Sequence, residues 1–280
     1  MAFRFWAVIT GIVLVYSLLV FRVYDLQMRN GRYFLARAQS EYVSSVSLDA
    51  PRGMIYFTDR DSSHFPVVMN KDFPIVYAVP KSIGDIKEAA RLLSDTLDIP
   101  TVTLLARFSK SQSEYELLKK KVDPAVADAV AKLNIKGVYV DSAPSRFYLR
   151  GELAAHLLGY VGTTVNTGSG ERGYYGVEEF YNSTLAGIPG ERLKGEVIKP
   201  RPGKDIVLTI YPNIQLEAER ALSNLVEAYK ARVGSVIVED PLTGKILAMG
   251  SIPTFDPNYY GQFPIASFLN PVTQNVYEPG

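Results

Sequence analysis

Cysteine is absent from this 280-residue sequence, and histidine nearly so, with only His64 and His156. The first absence excludes disulfides, thiol nucleophiles and structural zinc of the Cys type. The second leaves no histidine cluster for a metal, so neither a metal nor a cofactor is expected. Charge of one sign is also lacking. Thirty Lys and Arg stand against 29 Asp and Glu, a net +1, so no general field points to nucleic acid or to an acidic partner. There is no GxxxxGK[ST], and no GxGxxG between a strand and a helix, so the glycines do not form a phosphate cradle. Neither an internal repeat nor a low-complexity tract is present.

What is present is the composition of a folded protein, 47% hydrophobic and 21% charged, in a chain long enough for two domains and an anchor. The run from Phe5 to Phe21, FWAVITGIVLVYSLLVF, carries no charge and no proline and is bracketed by Arg4 and Arg22. It meets the lower length limit for a membrane-spanning helix, and Arg22 can snorkel outward to extend it. Trp6 and Tyr24 fall near its ends, where interfacial aromatics belong. The residues from Phe21 to Met28 are bulky and offer no small-x-small cleavage site, so an uncleaved anchor over 1–25 is expected rather than a signal peptide. Arg22, Arg29, Arg32 and Arg37 follow the run and only Arg4 and the amino terminus precede it. Charge counting by itself would therefore put the remainder of the chain in the cytoplasm.

Beyond the anchor, a helical stalk is expected from Leu26 to about Gln39, broken by Pro51-Arg52-Gly53. Strand-like runs follow at Val67–Met69 and Pro74–Val79. Asp85 to Leu97 has the spacing of an amphipathic helix, with Ile86, Ala89, Ala90, Leu93 and Leu97 on one face. Lys119–Lys121 is read as a helix end, where cations favour the dipole. Asp123-Pro124 is an N-cap and first-turn proline opening a helix that ends near Leu133. Gly137–Val140 reads as a strand, and Glu152–Leu158 and Val177–Leu185 as short helices on either side of a Gly168–Gly173 loop. Composition shifts at Pro200–Gly203, the expected domain boundary. After it come a strand (Asp205–Ile210), a long helix opened by Pro212, and a hairpin (Val233–Glu239 and Lys245–Ser251) around Asp240-Pro-Leu-Thr-Gly244. The hairpin strands are apolar on both faces, which predicts a central position covered by helices. The fold class expected is α+β.

No set of residues assembles a convincing reaction centre. Glu178 and Glu179 are adjacent on a helix and point to different faces, which suits one structural ion pair and one solvated carboxylate. His156 lies in the apolar stretch Leu153–Leu158 with no nucleophile near it in sequence, as a satisfied structural histidine does.

Six elements in order nonetheless resemble one family. Pro51-Arg52-Gly53-Met54-Ile55-Tyr56 followed by Asp59-Arg60-Asp61 is similar to the RGxIxDRNG element of class B penicillin-binding proteins, with Phe57-Thr58 inserted and the final Asn-Gly replaced. Arg146-Phe-Tyr148 through Gly151, His156, Gly159 and Gly162 resembles RxYPxGxxAxHxLGYVG, with Leu149 in place of proline. Gly173-Tyr-Tyr-Gly176-Val-Glu178 resembles GxxGxE. Gly203–Ile210 through Gln215, Val238–Met249 and Pro253–Asn258 resemble the entry and first strands of a transpeptidase domain.

The resemblance implies a membrane-anchored peptidoglycan D,D-transpeptidase of the serine β-lactamase-like fold. It divides into an anchor (1–25), a pedestal or dimerisation domain (26–203) and the first part of the catalytic domain (204–280). Asn270-Pro271 and Tyr277-Glu278-Pro279-Gly280 look like the lead-in to the nucleophile. The SxxK box, whose serine is acylated with help from its lysine, and the SxN and KTG boxes would lie beyond Gly280. The chain is therefore expected to be an N-terminal fragment that cannot be acylated. An incomplete sheet with an uncovered apolar face would fit that. The partners implied are the lipid bilayer, peptidoglycan stem peptides and β-lactams for the parent protein, a polytopic membrane glycosyltransferase, and a second copy in a homodimer; nucleic acid is not among them. The location implied is the bacterial inner membrane, crossed once, with the main domains outside the cytoplasm. A non-catalytic scaffold or β-lactam sensor of the same fold is the alternative. Within the described elements, Arg52, Arg146 and Glu178 lie among glycines and aromatics, Gly53, Tyr148 and Gly176. A buried Arg–Glu–Arg network is expected there, with a mechanical rather than a chemical role.

Overall fold

The computed structural model describes residues 50–110, 113–163, 171–193, 196–276 and 278, together with Trp6, Tyr16 and Ser17. Apart from those three, the expected anchor and stalk lie outside the described residues. So do Tyr277, Pro279, Gly280 and residues 168–170 of the expected Gly168–Gly173 loop, whose remaining residues begin a strand. Among the described residues no helix is long and apolar enough to cross a membrane. The chain divides into two units, Met1–Ala50 with Ile188–Arg201, and Pro51–Gly187 with Pro202–Gly280.

The second unit opens with strand β1 (Ile55–Thr58) and the long β2 (His64–Ala78), paired antiparallel. The two runs expected at 67–69 and 74–79 are thus one strand. Pro74 does not break it because its carbonyl turns away from the neighbouring ladder to accept from Val122 N at 2.9 Å. Its nitrogen faces the same way, so no ladder bond is lost.

Helix α1 (Ile86–Leu97) starts where Asp85 accepts from Lys87 N and Glu88 N, and it ends at Asp98 in the left-handed region. Its Ala89, Ala90, Leu93 and Leu97 are buried against α2 (Thr101–Phe108) and the following elements. Lys119 ends β3 (Glu116–Lys119), not a helix. Leu117 pairs with Tyr77 of β2, and Lys121 turns the chain at φ 50°. Asp123 and Pro124 open α3 (Pro124–Lys132). Strand β4 (Val138–Tyr148) runs beside β2 over its full length, from Ala78↔Val138 to Val68↔Tyr148.

Next come α4 (Ala155–Leu158) and a hairpin of β5 (Tyr160–Thr163) and β6 (Glu171–Tyr174). The expected Val177–Leu185 helix is broken at Tyr181 into α5 (Gly176–Phe180) and α6 (Asn182–Leu185). In the first unit, Glu191–Leu193 (β7) and Glu196–Ile198 (β8) form a hairpin closed by an Ile188–Arg201 bridge.

Back in the second unit, β9 (Ile206–Leu208) lies parallel to β1, completing a sheet ordered β3-β2-β1-β9 with β4 also on β2. Helix α7 (Pro212–Ala228) then leads to the hairpin of β10 (Gly234–Glu239) and β11 (Ile246–Ile252), and α8 (Pro271–Gln274) follows. The outer edge of β11 is closed by the chain before and within α7: Thr209 Oγ1 donates to Ile246 O, Tyr211 N to Leu247 O, and Gln215 takes Met249. The expectation that helices cover both faces of this hairpin does not hold among the described residues. Val226 and Leu222 of α7 pack over Gly234 on one face, while on the other Ile237 is 50% exposed.

Two apolar clusters form. One gathers Ile55, Phe57, Val68, Tyr148, Leu158, Tyr160, Phe255 and Phe268. The other gathers Val76, Leu93, Leu97, Leu104, Phe108 and Val130. The β2–β4 ribbon runs from one to the other.

Candidate functional site

The charged residues singled out for lying among glycines converge at the foot of the β2–β4 ribbon. Arg52 is 9% exposed, Arg146 2% and Glu178 0%. Glu178 Oε2 accepts from Arg52 Nε at 2.8 Å and lies 2.6 Å from its Nη2. Glu178 Oε1 accepts from Arg146 Nε at 2.7 Å and from the Tyr148 hydroxyl at 3.5 Å. One carboxylate thus neutralises two guanidinium groups drawn from distant parts of the chain, in the charge-assisted geometry that makes such bonds strong.

The surrounding backbone and two asparagines complete the network. Arg52 Nη2 also donates to the Glu178 carbonyl at 3.1 Å, and its Nη1 to Asn182 Oδ1 at 3.0 Å. Asn182 Oδ1 takes the Gly173 N–H as well, at 3.0 Å. Arg146 Nη1 donates to Gly53 O at 2.7 Å and Asn70 Oδ1 at 3.2 Å, and Asn70 Nδ2 donates to Arg52 O at 2.6 Å. Asn70 and Arg146 are register partners on β2 and β4, which sets them side by side on one face of the sheet. The remaining nitrogen, Arg146 Nη2, is buried with no acceptor among the described residues. Asn70 and Asn182 were not anticipated from sequence. Asn182 lies four residues after Glu178 at the start of α6, a spacing that could have suggested it; nothing local pointed to Asn70.

The two glycines in the set are required for different reasons. A Cβ on Gly53 would sit 2.0 Å from Lys204 O, because residues 51–54 run against 203–206 through Gly203 N to Pro51 O and Ile206 N to Met54 O, both 2.9 Å. Gly176 adopts φ 51°, and a Cβ there would meet Leu157 O at 2.3 Å. Burial pushes the Tyr148 phenol well above its ordinary value, and the Glu178 charge beside it adds to this. The three charged side chains are buried and clamp the segment before β1 to the end of β4 and to α5.

The stretch 148–156 is in turn tied to residues beyond 204. Asn258 brackets Tyr148, accepting from its N–H at 3.0 Å and donating to its carbonyl at 2.9 Å. His156 Nε2 donates to Ser267 O at 3.1 Å, and its ring meets Phe255 edge-on at 5.3 Å. Burial lowers its pKa while the Ser267 bond opposes the shift, as suits a structural histidine. Tyr160 stacks on Tyr260 at 4.3 Å and on Tyr174 at 5.6 Å. Burial first, and then the neighbouring phenols, push Tyr160 up to about 12. Of the expected lead-in, Glu278 is exposed, and Pro279 and Gly280 are outside the described residues. Lys121, read from sequence as a solvated helix end, instead donates to Arg146 O at 2.6 Å, and burial lowers its pKa. Glu179 is exposed and accepts from Tyr175 N at 3.0 Å. Among the described residues no three His, Asp or Glu side chains are grouped to hold a metal ion.

Two family models match in sequence order: the Penicillin-binding Protein dimerisation domain over residues 47–208 and the Penicillin binding protein transpeptidase domain over residues 234–280. Peptidoglycan D,D-transpeptidase FtsI of Escherichia coli strain K12 is 29% identical over 296 residues, covering 100% of this chain and 49% of that protein. Probable peptidoglycan D,D-transpeptidase PenA of Neisseria meningitidis serogroup A is 27% identical, covering 98% of this chain and 48% of that protein. The chain therefore spans about half the length of the curated relatives it matches. Among solved structures, the complex between penicillin-binding protein PBP2 and MreC from Helicobacter pylori superimposes with a TM-score of 0.58 at 23% identity, over 78% of this chain and 44% of that one, a likeness of fold.

Proposed function

Because the chain belongs to the class B penicillin-binding proteins, we propose that it is the pedestal and the opening part of the catalytic domain of a peptidoglycan D,D-transpeptidase. The observation that carries this is the succession of the two family matches along one chain. Alignment over the whole chain with proteins named as peptidoglycan D,D-transpeptidases supports it. In the parent protein the substrate is a stem peptide ending in D-Ala-D-Ala. The reaction is acyl transfer through a serine in an SxxK box, and none of SxxK, SxN or KTG occurs within residues 1–280.

The Arg52–Glu178–Arg146 clamp has a mechanical part in this reading. It fastens the segment entering β1 to the end of β4 and to α5, so that the catalytic domain stands on a fixed base. The uncharged run from Phe5 to Phe21 supports a single membrane anchor, and the family resemblance rather than charge counting supports main domains outside the cytoplasm. The pedestal is then the surface for a polytopic membrane glycosyltransferase, for a second copy, or for a partner of the kind captured in the Helicobacter pylori complex with MreC.

Purified full-length protein incubated with a D-Ala-D-Ala stem peptide should release D-alanine, and penicillin should stop the release. Absence of release from folded protein would favour a scaffold or sensor. A reporter active only in the cytoplasm, fused after Gly203, should stay silent; activity would overturn the orientation.

A further inference from the structure

Glu219 is a partly buried carboxylate that the clamp does not use. It projects from α7, and Gly250 on β11 makes room for it: a Cβ at 250 would come 2.8 Å from Glu219 Cγ. No cation pairs with it among the described ion pairs, and the carboxylate of Glu152 adds repulsion. Burial pushes its carboxyl up, against two hydrogen bonds that pull it down. Taking a carboxylate even partly out of water without a counter-charge is costly. A leucine would fill the space at less cost if filling were all that was needed.

Its two donors come from different parts of the chain. The Ala154 N–H donates to Glu219 Oε1 at 2.8 Å, and Gln215 Nε2 donates to the same oxygen at 2.7 Å. Ala154 sits at φ 56°, a conformation a non-glycine residue keeps only when its surroundings hold it. Gln215 is wholly buried. Its Nε2 also donates to Met249 O at 2.9 Å, and its Oε1 accepts from Met249 N at 2.9 Å, so its amide takes the place of a neighbouring strand. The Met249 sulfur receives Asn270 Nδ2 at 3.6 Å, and Asn270 Oδ1 caps α8 through Val272 N at 3.1 Å. A line of contacts therefore runs from Ala154, just before α4, through Glu219, Gln215 and Met249 to Asn270 and the start of α8.

We propose that Glu219 is a positioning residue, which transmits the placement of the 149–154 turn through Gln215 and Met249 to Asn270 and α8, which lead toward the reacting serine. The inference rests on the transpeptidase reading above. Glu219 touches no substrate; it acts through Met249 and Asn270.

The test uses the full-length protein and a fluorescent penicillin, following the acylation rate beside the thermal midpoint. Glu219→Ala should slow acylation about tenfold, within the usual range for coupling between sites. Glu219→Gln, which still offers an oxygen to Ala154 and Gln215, should recover to within about twofold of wild type. Glu217→Ala, an exposed position on the same helix, should acylate at the wild-type rate. Asn270→Ala should slow acylation, and adding Glu219→Ala to it should slow it no further, because both changes cut one line. If Glu219→Ala does not fold, Glu219→Met keeps the length, removes both acceptors and is read in the same way. A wild-type rate for the acceptor-free variant, losses that simply add in the double variant, or no recovery in Glu219→Gln would each overturn the proposal. Wild-type protein that is not acylated at all would overturn the transpeptidase reading itself, a result distinct from these.

Discussion

Removing the Glu178 carboxylate should be among the most damaging single changes available in this chain. Glu178→Ala leaves Arg52 and Arg146, both almost fully buried, without a counter-charge. Arg52 loses its contacts to Oε2 at 2.6 and 2.8 Å but keeps Asn182 Oδ1 and the 178 carbonyl. Arg146 loses Oε1 at 2.7 Å but keeps Gly53 O and Asn70 Oδ1. The acceptors that remain are neutral, so the loss falls on charge compensation. Breaking a buried ion pair from one side costs about 3–5 kcal/mol. At roughly 2–4 °C per kcal/mol for a chain of this size, the midpoint should fall by about 6–20 °C. Glu178→Gln keeps the volume and one acceptor oxygen but sets an NH2 against a guanidinium, so it too should cost more than about 2 kcal/mol. The reference is Glu88→Ala, which breaks an exposed pair with Arg91 and should leave the midpoint unmoved. Urea and thermal unfolding of the purified variants measure all three. A Glu178→Ala midpoint equal to that of wild type would refute the claim that the clamp is a buried and energetically coupled unit.

Three further outcomes follow from the same geometry. Gly53→Ala should destabilise by more than about 2 kcal/mol, since its Cβ meets the Lys204 carbonyl at 2.0 Å and backbone cannot rotate away; an unchanged urea midpoint would show that the 51–54 and 203–206 segments are not packed as described. Gln215→Ala should cost about 2–4 kcal/mol by stranding the Met249 N–H and carbonyl together, and amide exchange at Met249 should accelerate with it; unchanged exchange would remove Gln215 from the β11 edge. Tyr160, held up to about 12, keeps its proton above pH 10 when folded while the unfolded chain releases it, so stability should fall as pH rises from about 10 to 12. Tyr160→Phe should reduce that alkaline loss, leaving the part due to Tyr148, and an identical slope in the variant would count against the stacked environment.

Much of the local structure was legible because its signals are local. Asp85 and Asp123 cap the helices their positions announce, and the buried face of α1 follows the 3.6-residue spacing of Ala89, Ala90, Leu93 and Leu97. The three clamp charges could be singled out because arginine and glutamate set among glycines imply close backbones and partial burial. Asn70, Gln215 and Glu219 were not legible. Their partners lie 76, 34 and 65 residues away, and an isolated amide or carboxylate carries no spacing signal of its own. The parallel pairing of β9 with β1 joins segments about 150 residues apart, which periodicity cannot reveal. The lysines at 119–121 were misread because a basic run at a strand end is similar in composition to one at a helix end. Only the pairing of Leu117 with Tyr77 separates the two.

The transpeptidase reading is tested most directly by locating the acylated residue. Full-length protein treated with penicillin, digested and analysed by mass spectrometry should carry one covalent adduct, on the serine of an SxxK box beyond Gly280. Folded protein that carries no adduct, or an adduct on a serine within residues 1–280, would contradict it.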